Sequence, residues 1–128
     1  MRKLSITILM LLVLFTLAGC GGSEPAESGV VKSGEVTITM KNMKFTPAKV
    51  TVKKGTKITF VNKDAILHDV VQVAVKDYGK AEPGFDSKEI MSAGSWSIIM
   101  EKTGEFPVIC TQAAHFTAGM VGVITVVE

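Results

Sequence analysis

Runs of five to seven residues in which apolar and polar side chains alternate recur from residue 35 onward. No stretch carries an apolar period of 3.6 residues over three turns, so helices have nothing to bury. Glu35–Lys41 alternates with β-branched residues throughout, and Lys49–Lys53 repeats the pattern. Thr56–Val61, Val70–Val75, Ser95–Glu101, Glu105–Cys110 and Met120–Glu128 read as further strands, with a short edge strand over Phe85–Met91. Turns fall at Lys54-Gly55, Ser92-Ala93-Gly94 and Lys102-Thr103-Gly104, and Lys76–Gly84 reads as a polar loop. About seven or eight short strands with regular turns predict an all-β sandwich or barrel. A chain of 128 residues has room for one such domain.

The first residues follow a different logic. Met1-Arg2-Lys3 is basic, Leu4–Ala18 is almost wholly apolar, and Leu17-Ala18-Gly19-Cys20 follows. A basic start, an apolar run and a small-residue exit mark a secretory signal. The run is shorter than the ~20 residues that a membrane span needs. The tetrapeptide resembles the bacterial lipoprotein signal. That resemblance implies cleavage after residue 19 and lipid on Cys20. Residues 20–34 are rich in Gly, Ser and Glu and read either as a flexible tether or as an N-terminal segment without a role. The folded domain is expected over residues 35–128.

Cleavage would also change the charge. The formal net charge of +2 depends on Arg2 and Lys3, and Arg2 is the only arginine. The exported part would carry no net charge and no arginine, which excludes a nucleic-acid-binding role.

With Cys20 assigned to lipid, Cys110 is the one remaining thiol. An unpaired cysteine in an exported chain implies an intermolecular disulfide, an inert buried thiol or a metal ligand. Its neighbourhood favours the last. Cys110, His115 and Met120 follow one another at five-residue spacing between two strands. The only other histidine, His68, lies between the strands ending near Val61 and starting near Val70, at a bend that a sandwich can bring alongside. Two imidazoles, one thiolate and a weak thioether suit copper cycling between Cu(I) and Cu(II). Structural zinc usually takes four Cys or His ligands, and three are present.

On these residues the domain resembles a cupredoxin, the type 1 blue copper family of plastocyanin and azurin. Met43–Gly55 is similar to the opening strands of the family. Asn62-Lys63-Asp64 followed by His68 is similar to its first-ligand region. Cys110, His115 and Met120, followed by Val121–Val126, are similar to its ligand loop and closing strand. The resemblance implies a Greek-key β-sandwich holding one copper near one end. His68, Cys110 and His115 become the equatorial ligands and Met120 the axial one. It also implies an apolar patch around the His115 ring edge, here Phe116, Ala114 and Met43, where electrons enter and leave.

Two departures stand out. Many relatives carry Asn directly after the first histidine, where this chain has Asp69. A carboxylate there accepts hydrogen bonds, Thr111 being the expected donor. It adds negative charge that lowers the reduction potential. The four residues on each side of His115 differ from the plastocyanin spacing and leave the subfamily open.

The expected function is electron transfer between extracytoplasmic redox proteins such as cytochromes or oxidases. The carrier would be monomeric, exported and lipid-anchored at the bacterial membrane, facing the periplasm or the cell exterior. No catalytic set is evident, so no enzyme is expected. The alternative is a copper-binding protein for delivery, storage or resistance.

Overall fold

The structure is a computed structural model that describes residues 30–74 and 77–128. The signal, Cys20 and most of the tether lie outside the described residues. Among those residues every regular element is a strand. They are β1 (Val31–Lys32), β2 (Glu35–Met40), β3 (Phe45–Thr46), β4 (Lys49–Lys53), β5 (Lys57–Asn62), β6 (Val71–Ala74), β7 (Asp77–Asp86), β8 (Ser95–Ile99), β9 (Gly104–Ile109) and β10 (Val121–Val127).

Two sheets form an all-β sandwich, one ordered β1-β4-β10-β9-β6-β7 and the other β3-β2-β5-β8. The alternation decides which side chains face inward, because strand neighbours point to opposite sides. Val36, Ile38 and Met40 of β2, Ile58 and Phe60 of β5, Val50 and Val52 of β4, and Ile124 and Val126 of β10 are all buried between the sheets. Phe60 is central, edge-on to Phe45 at 5.9 Å and 6.0 Å from Trp96. Gly122 of β10 leaves room where a Cβ would lie 3.0 Å from the Ala48 carbonyl, so no larger residue fits without a shift.

Three expectations change. Most of the loop expected over Lys76–Gly84 is strand: Asp77–Asp86 forms an edge strand antiparallel to β6, with irregular register. Its Gly and Pro residues disguised it, although they are tolerated at an edge. The edge strand expected over Phe85–Met91 is therefore only the end of β7, and the isolated bridge of Ile90 with His68 stands apart from it. Val31–Lys32, at the end of the supposed tether, pairs in parallel with Thr51 and Val52. The open edge of β4 supplies the partners.

Candidate metal centre

Strand register builds the site. In the β6–β9 ladder Val71 faces Ile109 and Gln72 faces Val108. Continued outward, that antiparallel register sets Asp69 beside Thr111. In the β9–β10 ladder Val121 faces Ile109. The next pair outward is Cys110 with Met120, and the Cys110 amide donates to the Met120 carbonyl at 3.2 Å. Directly opposed residues of an antiparallel pair share one face. Both Cys110 and Met120 are fully buried, on the inward side.

The loop between them curls back on itself. The His115 amide donates to the Gln112 carbonyl, and the Met120 amide donates to the His115 carbonyl, both at 3.0 Å. Ala114 and Gly119 take the left-handed conformation, with φ of 65° and 89°. The reversal places the His115 ring beside Cys110.

His68 arrives from the other side. Its amide and carbonyl both bond to Ile90, at 3.1 and 2.7 Å. Buried Asn62 holds the preceding bend: its side-chain amide donates to the Ile66 and Ile90 carbonyls, and its Oδ1 accepts from the Asp64 amide.

Three ligand atoms therefore converge. His68 Nδ1 and His115 Nδ1 are 3.2 Å apart, and Cys110 Sγ is 3.7 Å from the first and 3.3 Å from the second. A point equidistant from these three atoms lies about 2 Å from each, close to the bond lengths of a divalent transition metal to imidazole and thiolate. Size and donor chemistry both fit one copper ion. Burial pushes the Cys110 thiol up, and hydrogen bonds from its surroundings only partly oppose this. Metal binding must then displace a proton.

Carboxylates flank both ligand segments. Asp69 accepts from the Thr111 amide and hydroxyl, each at 2.6 Å, and from Gln112 Nε2 at 2.8 Å. It clamps the His68 segment to the ligand loop. Asp64 accepts from His68 Nε2 at 2.8 Å. Burial opposes its charge, but donors from Met43, Asn42 and His68 outweigh it and hold the carboxyl below its usual range. Sequence reasoning gave Asp64 no role of its own. The signal was its place four residues before His68, within the quoted motif.

The residues expected to form the electron-transfer patch divide. Phe116 and Met43 are 40% and 39% exposed, and Ala114 is exposed as well. Phe116 and Ala114 adjoin His115 in the chain. Met43 instead donates its amide to Asp64, on the His68 side.

Residues 32–127 match the copper binding proteins of the plastocyanin/azurin family. The chain is similar to the copper-resistant cuproprotein CopI of Rubrivivax gelatinosus, with 32% identity over 101 residues. That alignment covers 66% of this chain and 60% of CopI, so the chain spans less than two thirds of that relative. Among solved structures it is similar to a Cu-containing nitrite reductase from Thermus scotoductus SA-01, at TM-score 0.61 and 26% identity, covering 73% of this chain and 22% of the enzyme. It is also similar to a purple cupredoxin from Nitrosopumilus maritimus, at TM-score 0.61 and 22% identity, covering 74% of this chain and 100% of that one. A Cu(I) amicyanin variant gives TM-score 0.60 and 22% identity, covering 75% and 85%. At that identity the last two show the fold.

Proposed function

The chain belongs to the plastocyanin/azurin family of copper-binding proteins, with copper as its cofactor, and from that premise we propose that it is an electron carrier. The observation that supports this reading most is the enclosed His68–Cys110–His115 triangle, whose members are all buried. Copper supplies one-electron exchange between Cu(I) and Cu(II). The chain holds the donors still. Hydrogen bonds at Ile90, Asp64 and Asp69, and across the Cys110–Met120 pair, resist ligand movement when the charge changes. Met120, fully buried and paired with Cys110 across the two strands, would supply a thioether to the ion.

His115 gives electrons a way out. It is the least buried of the four ligand residues, at 8% exposure. Its Nε2 has no hydrogen-bond partner among the described residues and keeps some accessible surface, so the ring edge reaches solvent. Phe116 and Ala114 beside it make an apolar docking surface for redox proteins. Export, lipid at Cys20 and a position at the membrane belong to the same proposal, as does the absence of bond-making catalysis.

A second reading rests on CopI, whose description is that of a copper-resistant cuproprotein. By that reading the chain binds copper to limit its toxicity or pass it on. Repeated reduction and reoxidation in the presence of a Cu(I) chelator separates the two. A carrier keeps its copper through many cycles. Stoichiometric loss to the chelator on first reduction would favour copper handling.

A further inference from the structure

Three donors or donor groups meet on one carboxylate at the edge of the site. Asp64 Oδ1 accepts from the Asn42 amide at 2.7 Å, and Oδ2 accepts from the Met43 amide at 3.1 Å and from His68 Nε2 at 2.8 Å. Asn42 and Met43 are successive residues in the left-handed region, at φ 54° and 53°. Non-glycine residues rarely hold that conformation in pairs. Here it turns two consecutive N–H groups toward one anion, the arrangement of a backbone nest. The backbone of Asp64 is fixed as well: its amide donates to Asn62 Oδ1 at 2.9 Å and its carbonyl accepts from the Ser92 hydroxyl at 2.7 Å. The carboxylate thus has a set position before any metal binds.

That position has a consequence for His68. The ring has one nitrogen against Asp64 and the other, Nδ1, against Cys110 and His115. A carboxylate whose oxygens already take backbone N–H groups can only accept from the ring. The proton of neutral His68 therefore sits on Nε2, which leaves the Nδ1 lone pair facing the thiolate and the second imidazole.

We propose that Asp64 is the positioning residue of the copper site: it fixes the His68 tautomer and ring direction, and its charge biases the centre toward Cu(II). This rests on the copper-site reading above. It differs from the expectation attached to Asp69, whose carboxylate ties Thr111 and Gln112 in place and faces the Cys110 thiol rather than an imidazole.

Two measurements on the full chain test the proposal. Nitrogen-15 NMR of the metal-free protein reads the His68 tautomer. The parent should show a solvent-protected Nε2 proton, and Asp64→Ala should lose that protection and mix the two tautomers. Potentiometry of the copper-loaded protein reads the charge. Asp64→Asn, which keeps the side-chain shape, should move the reduction potential to a more positive value. The proposal is overturned if Asp64→Ala retains a protected Nε2 proton, or if Asp64→Asn keeps the parent potential. A variant that only loses stability, with tautomer and potential unchanged, also overturns it. Should Asp64→Ala fail to fold, Asp64→Asn still gives the potential. Failure of the parent to form a copper–thiolate centre would sink the copper reading instead, while the metal-free spectrum would still decide the tautomer.

Discussion

His68 and His115 offer the same nitrogen to the same point, yet the fold treats them in opposite ways. His68 is wholly buried, bonded through its backbone to Ile90 and through Nε2 to Asp64. His115 rides on the hairpin loop, with its outer nitrogen open to solvent. One imidazole is an anchor and the other a port. A centre that must stay rigid and still exchange electrons with partners needs both, and the fold assigns each task to a different element.

Removing each ring in turn is the harshest way to break this comparison. His68→Gly and His115→Gly should both lose the copper–thiolate absorption. Added imidazole should restore it in His115→Gly, where the gap opens to solvent. It should restore far less in His68→Gly, where the gap is enclosed by Ile90 and Asp64. Equal rescue in titrations followed by visible spectroscopy would contradict the anchor and port assignment.

The anchor depends on the core beneath it. Phe60 lies on β5, the strand that leads to the His68 bend, and packs against Phe45 and Trp96. Phe60→Ala should cost about 3–5 kcal/mol in urea unfolding. A loss well below 1 kcal/mol in that experiment would mean that the aromatic cluster does not hold the sandwich.

Asp69 joins anchor to port. Asp69→Ala leaves the Thr111 amide and hydroxyl and the Gln112 side chain without their acceptor. The expected loss is about 1–3 kcal/mol. Hydrogen exchange should quicken in residues 111–119 while the Ile90 and His68 amides stay protected. Uniform acceleration would show that the two sides are not separable.

The smallest effect is a pH dependence of the metal-free protein. The folded Cys110 thiol is raised by burial above its ordinary value. In the unfolded chain it ionises near pH 8.5. As pH climbs past that value the unfolded state gives up its proton first, so stability present at neutral pH falls. Cys110→Ala should flatten this decline. An unchanged slope in Cys110→Ala would assign it to other groups.

Much of this was legible beforehand. Alternation in Glu35–Met40 and Val121–Val127 marks their inward faces, because a strand buried on one side has no other way to sort its residues. Cys110, His115 and Met120 could be grouped because chain neighbours on one hairpin cannot stray far apart. Asp64 was harder to see. It stands four residues before His68, but that spacing brings the two together here only because Asn62 holds the non-helical bend between them. Asp77–Asp86 was hidden because Gly79, Pro83 and Gly84 look like a loop. Pairing with β6 overrides local preference there.

The central claim is that His68, Cys110 and His115 hold one copper ion with the thiolate bound directly. The most direct measurement is the visible spectrum of the purified chain during titration with Cu(II), repeated for Cys110→Ser. An intense sulfur-to-copper charge-transfer band is expected that saturates at one equivalent, bleaches with ascorbate, and is absent from Cys110→Ser. A chain that stays colourless at saturation, or a Cys110→Ser variant that keeps the band, would contradict it.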